Sequence, residues 1–158
     1  MPKKNFKLTI QYLGTSYNGW QYQPTQPTVQ GEIEAAFEKI LHKNKQKISL
    51  IGSGRTDSGV HALGQVANIK LDTNMSAIDL KNAINSNTSK DIFIKDSVEV
   101  DLDFNSRFSA KRRVYIHKIN RHIVQIQILH RFCFYFYEFN ASTSIKSFIY
   151  NFPRLQFF

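Results

Sequence analysis

The stretch Gly52-Ser53-Gly54-Arg55-Thr56-Asp57-Ser58-Gly59-Val60-His61-Ala62-Leu63-Gly64 decides how the chain is read, because apolar β-type runs flank it on both sides, 48–51 and 66–71. Glycines at 52, 54 and 59 break the first run and permit tight turns and close approach of backbone to a ligand. The stretch has no Gly-Lys-Ser/Thr ending and leads into a strand rather than a helix, which excludes a P-loop and a Rossmann turn. It holds Arg55, Thr56, Asp57 and His61. By residue type alone, Asp57 is equally a loop cap and Arg55 a solvated cation.

Working outward, Phe6, Leu8, Ile10 and Tyr12 alternate with polar residues, predicting a half-buried strand to about Leu13. A turn over 14–19 and a Pro-containing loop over 21–27 follow. Val29, Ile33, Ala36, Phe37, Ile40 and Leu41 then fall on one helical face, with Thr28 as N-cap, Glu32 and Glu34 in the early turns, and His42-Lys43 at the end. On the C-terminal side, Ser76 and Asp79 form a capping box with Met75 and Leu80 as its staple, opening a helix to about Asn85; 85–89 reads as a loop. The runs 92–94 and 98–100 predict one broken strand or two, and 113–119 another. The order β-α-β-β-α-β is that of an α+β, ferredoxin-like or split βαβ domain, a scaffold that hosts many functions and names none.

The 158 residues, 42% apolar and 21% charged, support a globular core, and no apolar run approaches the ~20 residues of a membrane span. No apolar signal stretch follows Met1, and the single cysteine, Cys133, excludes an internal disulfide framework and fits a reducing cytoplasm. The net charge of +9 is unevenly placed: residues 1–103 carry 12 Lys+Arg against 11 Asp+Glu, and 104–158 carry 9 against 1. Eleven of the 21 aromatic residues also lie in 132–158. Such a mixture of cations and rings fits an RNA surface, where phosphates meet charge and bases stack. A solvated strand face over a core has the same composition.

The wording of 52–67, ending His61-Ala62-Leu63-Gly64-Gln65-Val66-Ala67, closely resembles the signature of the tRNA pseudouridine synthase A family. Three further segments resemble that family in order and spacing. They are Tyr12-Leu13-Gly14-Thr15-Ser16-Tyr17-Asn18-Gly19-Trp20-Gln21, Thr28-Val29-Gln30-Gly31-Glu32-Ile33-Glu34, and Phe104-Asn105-Ser106-Arg107-Phe108-Ser109-Ala110-Lys111-Arg112-Arg113-Val114-Tyr115. The resemblance implies a ferredoxin-like, RRM-like βαββαβ domain of the pseudouridine synthase fold followed by an incomplete second domain. It also implies a cytoplasmic enzyme, homodimeric if its second domain is functional, that uses no cofactor and no metal. That enzyme would isomerise uridine to pseudouridine in the anticodon stem-loop of tRNA, at positions 38–40.

Under this resemblance Asp57 falls on the catalytic aspartate, acting at the sugar as nucleophile or as base. The loop offers one acid, where glycoside hydrolysis uses two carboxylates around a water. Arg55 would pair with Asp57 and help hold the target base out of its stack; Tyr115 would pack against that base. Lys111, Arg112 and Arg113, with Arg107 in the same segment, would meet phosphates, although solvated cations at a strand entry read the same way. His61 has no partner at metal-ligand spacing, and Trp20 reads as packing.

The domain boundary implied is 1–103, carrying the Asp57 loop, and 104–158, the start of a second domain with an atypical aromatic, basic tail. Residues 121–158 show no motif of the family, and Phe132-Cys133-Phe134-Tyr135-Phe136-Tyr137 has the profile of an aggregation-prone strand when unpaired. The expectation is a chain truncated relative to its family, with a tail that departs from the ancestral sequence. Three functional readings follow: an active isomerase, a non-catalytic RNA-binding fragment, or an inactive remnant.

Overall fold

The computed structural model describes residues 1–41, 48–117 and 133–136. Its elements are β1 (Lys3–Tyr12), a 3-10 turn (Gly14–Ser16), α1 (Val29–Ile40), β2 (Ile51–Gly52), β3 (His61–Asp72), α2 (Ala77–Asn87), β4 (Ile92–Val100), β5 (Val114–His117) and β6 (Cys133–Phe136). They build a mixed α/β structure whose sheet runs β4-β1-β3-β6-β5, with β2 also paired to β3. β1 is antiparallel to both β3 and β4, β2 to β3, and β5 to β6; β6 is parallel to β3 along His61, Ala62 and Gly64.

The alternation read in β1 puts Phe6, Leu8 and Ile10 into the core, where Phe6 stands opposite Ile69 and Leu8 opposite Ala67. Ile33, Ala36 and Phe37 of α1 and Leu80 and Ile84 of α2 complete the same cluster. Each of the Phe, Leu and Ile side chains among them contributes about 1.5–3 kcal/mol by leaving water. Both helix starts are capped as read: Thr28 Oγ1 accepts from the Gly31 amide at 3.2 Å, and Ser76 Oγ from the Asp79 amide at 3.2 Å. The Ser76 hydroxyl also donates to the Asp79 carboxylate at 2.6 Å. Met75 packs against the core to which buried Leu80 belongs.

Several boundaries differ from the sequence reading; β2, for example, is confined to Ile51–Gly52, within and just past the run 48–51. β1 begins at Lys3 because Lys3, Lys4 and Asn5 already pair with Asp72, Leu71 and Lys70. α2 continues through the expected loop to Asn87: Ser86 Oγ and Asn87 Nδ2 turn back onto the carbonyls of Asn82 and Ala83, and Thr88 Oγ1 donates to that of Ile84, one of the four at the helix end. β3 begins at His61, inside the expected loop, because β1 and β6 both pair with that stretch. β4 is one strand: the register shift between Thr9 and Ile10 leaves Lys95 as the extra residue of a bulge. His42-Lys43 and 118–119 lie outside the described residues. No described helix is long and apolar enough to cross a membrane.

The turn after β1 lies directly on the loop after β2. Trp20 N–H donates to the Thr56 carbonyl at 3.0 Å, Gly59 N–H to the Tyr17 carbonyl at 3.1 Å, and the Tyr12 hydroxyl meets Thr56 Oγ1 at 2.9 Å. Gly19 sits at φ 87°, and a Cβ there would lie 2.4 Å from the Thr56 carbonyl oxygen. Gly59, at φ 77°, opens onto free space. Gly59→Ala is therefore expected to cost about 1–2 kcal/mol of backbone strain alone, and Gly19→Ala about 3 kcal/mol or more through strain plus collision. Denaturant unfolding of the two variants checks this ranking.

A second tie joins this turn to α1 and to the segment that follows α2. The Tyr17 hydroxyl donates to Glu32 Oε2 at 2.5 Å and meets Ser89 Oγ at 2.9 Å. Burial, followed by the Glu32 hydrogen bond, pushes the Tyr17 phenol up from 10.0 to about 12. A folded value above the unfolded one means that this contribution is full below pH 10.0 and is lost as pH rises through about 12. The phenolate absorbance difference between wild type and Tyr17→Phe should accordingly show one tyrosine with a midpoint near 12.

Candidate active site

β2, the loop that follows it and the segment entering β5 enclose an open cavity of about 650 Å³. Its floor is fixed by backbone: Ser53 N–H donates to the Val66 carbonyl at 2.8 Å, and Gln65 Nε2 to the Gly54 carbonyl at 2.6 Å. Trp20, 2% exposed, closes the inner wall and sits 6.0 Å from the Tyr12 ring, centroid to centroid. A Cβ at residue 52 would lie 2.5 Å from the Trp20 indole nitrogen, so glycine there lets the ring pack flush on β2.

The outer wall comes from far along the chain. Ser106 N–H donates to Asn68 Oδ1 at 2.8 Å, and the Ser106 hydroxyl to the Ile51 carbonyl at 2.5 Å. Arg113 then returns to donate through Nη2 to the Ser53 carbonyl at 3.0 Å. Between these fastenings Arg107 reaches the cavity with its guanidinium 5.9 Å from the Phe108 ring centroid.

Of the seven residues expected at the site, Arg55, Arg107, Arg113 and Tyr115 line this cavity. Tyr115 is 48% exposed rather than buried as core. Asp57, Lys111 and Arg112 are exposed and are not among the lining residues. The expected Arg55–Asp57 pair is not formed; an ion pair is seen instead far from this loop, between Lys4 and Glu99 at 3.3 Å. The cause is the residue between them. Thr56 is buried and pinned on both its carbonyl and its hydroxyl, so the loop is held by its backbone and not by the charges beside it. His61 is buried on β3, and its Nδ1 accepts from the Gly14 amide at 3.3 Å, a packing role. Trp20 is packing too, and also part of the wall.

Among the described residues, three permanently charged guanidinium groups share the lining with no carboxylate. Such a set repels itself until an anion enters, and arginine's planar fork matches phosphate oxygens. By its chemistry the lining suits an anion. The sequence reading missed Asn5, Asn68 and Ser53; the polar Asn68 within the apolar run 66–71 was the one available sign.

A family model described as tRNA pseudouridine synthase matches residues 8–109. The chain belongs to this family. It is 46% identical over 145 residues to tRNA pseudouridine synthase A of Caldicellulosiruptor saccharolyticus, covering 91% of this chain and 58% of the relative. Identity is 48% over 119 residues to that of Hydrogenobaculum sp., covering 73% and 48%, and 49% over 114 residues to that of Thermosipho melanesiensis, covering 71% and 45%. The chain spans about half the length of the curated relatives it matches. A match over 91% of the chain also runs well past Asn120, so part of the segment that shows no family motif is nonetheless shared with a relative.

The single tryptophan of the chain lines the cavity, which makes it a reporter. A short single-stranded RNA should change Trp20 fluorescence with an affinity that falls as salt rises. Arg107→Ala should weaken binding and reduce the log–log salt slope by roughly 0.7, one single-strand phosphate contact.

Proposed function

We propose that this chain carries the catalytic half-site of an enzyme that isomerises uridine to pseudouridine in tRNA, in the anticodon stem-loop at positions 38–40. The observation that carries the proposal is the meeting of Arg55, Arg107, Arg113 and Tyr115 around one carboxylate-free cavity beside the Asp57 loop, in a chain of the tRNA pseudouridine synthase family. Phosphates of the RNA would lie on Arg107 and Arg113, with Lys111 and Arg112 meeting the backbone farther out. Tyr115 would pack against the target base and Arg55 would hold it out of the stack.

Asp57 would act at the sugar, as nucleophile at C1′ or as base on a sugar proton. In either form the C1′–N1 bond breaks, the base turns, a C1′–C5 bond forms, the C5 proton leaves and N1 takes one up. No atom is gained or lost, so one carboxylate suffices where hydrolysis would need a second. We place the scaffold in the ferredoxin-like class from its β-α-β-β-α-β order, and the boundary of its first domain after residue 103. The enzyme would work in the cytoplasm as a homodimer without a cofactor. A second reading, binding without turnover, is favoured by one observation: Asp57 stands outside the cavity lining.

The test is direct. Purified chain is incubated with unmodified tRNA transcript, and pseudouridine is mapped by chemical adduct and primer extension. Product at positions 38–40, reduced at least about a thousandfold in Asp57→Ala, is the expected outcome. Salt-dependent binding without product supports the binding-only reading, and product persisting in Asp57→Ala removes Asp57 from its role.

A further inference from the structure

A buried amide pair lies behind the outer wall of the cavity and touches none of the lining side chains that meet substrate in the proposed reading. Asn5, on β1, and Asn68, on β3, are both 0% exposed. Asn68 Nδ2 donates to Asn5 Oδ1 at 3.0 Å and reaches the Phe104 carbonyl at 3.4 Å, while its Oδ1 accepts the Ser106 amide at 2.8 Å. Asn5 Nδ2 donates to the carbonyls of Asp101 at 2.8 Å and Phe104 at 3.0 Å. The two side chains thus fasten three successive points of the segment after β4 to the central strands of the sheet.

Apolar residues at these two positions would pack as well against a sheet but could not hold that segment. Apart from the bond between the two asparagines, each bond goes to a backbone group outside the strand ladder and forms only if residues 101–106 stand where they do; the Asp101 carbonyl also accepts the Phe104 amide, at 3.0 Å. Arg107 is the next residue in the chain. Its place in the cavity follows from the Ser106 anchor, since its amide bonds only within the same segment, to Asn105 Oδ1 at 3.0 Å, and its guanidinium meets the exposed Phe108 ring, neither of which fixes it to the sheet.

We infer that Asn68, supported by Asn5, is a positioning residue: it holds Ser106 to β3 and thereby sets the guanidinium of Arg107 in the cavity. The inference rests on the reading that this cavity receives RNA. A residue that acts through Arg107 loses its effect on binding once Arg107 is gone, whereas one that merely stabilises the fold does not.

The experiment is a double-mutant cycle on the full chain, with tRNA binding and amide hydrogen exchange as readouts. Asn68→Ala should speed exchange of the Ser106 amide about tenfold while leaving the α2 amides of Leu80 and Ile84 unchanged. It should weaken tRNA binding about tenfold in the wild-type background and by less than about twofold in the Arg107→Ala background. Equal losses in both backgrounds, or faster exchange throughout α2, would overturn the inference. Should Asn68→Ala not fold, Asn5→Ala decides in its place, because it removes the amide that supports Asn68 and should show the same non-additivity with Arg107→Ala at smaller size. If the wild-type chain binds no tRNA, the functional reading fails, and exchange at Ser106 alone decides whether Asn68 anchors the wall.

Discussion

The site depends on the contact of two backbones. Trp20 N–H meets the Thr56 carbonyl at 3.0 Å, a distance possible only because residue 19 has no Cβ to intrude on that oxygen. This contact makes the loop after β2 a continuation of the turn after β1. Everything near the cavity follows from it: the Trp20 ring lies on Gly52, Thr56 turns its hydroxyl to Tyr12, and Arg55 and Asp57 flank a residue that cannot move. The loop keeps its shape without spending either charge on itself.

That division explains why local features were legible in the sequence and longer-range ones were not. The caps at Thr28 and Ser76 are bonds to residues three positions on, so residue type and spacing contain the whole interaction. The start of β3 is the opposite case. Gly59 and Gly64 mark turns by composition, yet His61 to Gly64 are extended because β1 and β6 lie on either side, partners separated from them by about 50 and 70 residues. The end of α2 fell between these cases. Ser86, Asn87 and Thr88 are loop-forming types, and the same hydroxyl and amide groups that favour a loop also suit a helix end when they turn back onto its carbonyls.

Within the site, the chemistry-bearing residues were readable as types and their meeting was not. Arg55 and Arg113 are 58 positions apart and share a cavity because Arg113 returns to the Ser53 carbonyl. The expected Arg55–Asp57 pair came from a separation of two, which sets no distance when the intervening residue is pinned elsewhere. Asn5 and Asn68 left little trace because the groups they hold are the carbonyls of Asp101 and Phe104. Every residue carries a carbonyl, so nothing in the sequence marks these two.

The separation of Asp57 from the cationic lining bears on the chemistry proposed. An arginine and a carboxylate about 4 Å apart attract by roughly 1 kcal/mol in water and ~4 kcal/mol near a protein surface. Had Asp57 stood among Arg55, Arg107 and Arg113, an entering phosphate would have to displace it from those groups at a cost of that order. Here the Asp57 carboxylate makes no hydrogen bond or ion pair with another described residue, and the guanidinium set carries no acid to release. The anion and the carboxylate can then address different parts of one nucleotide, phosphate on the arginines and sugar at Asp57. The geometry that hides Asp57 from the cavity lining is therefore compatible with turnover, provided the nucleotide spans the rim between the two.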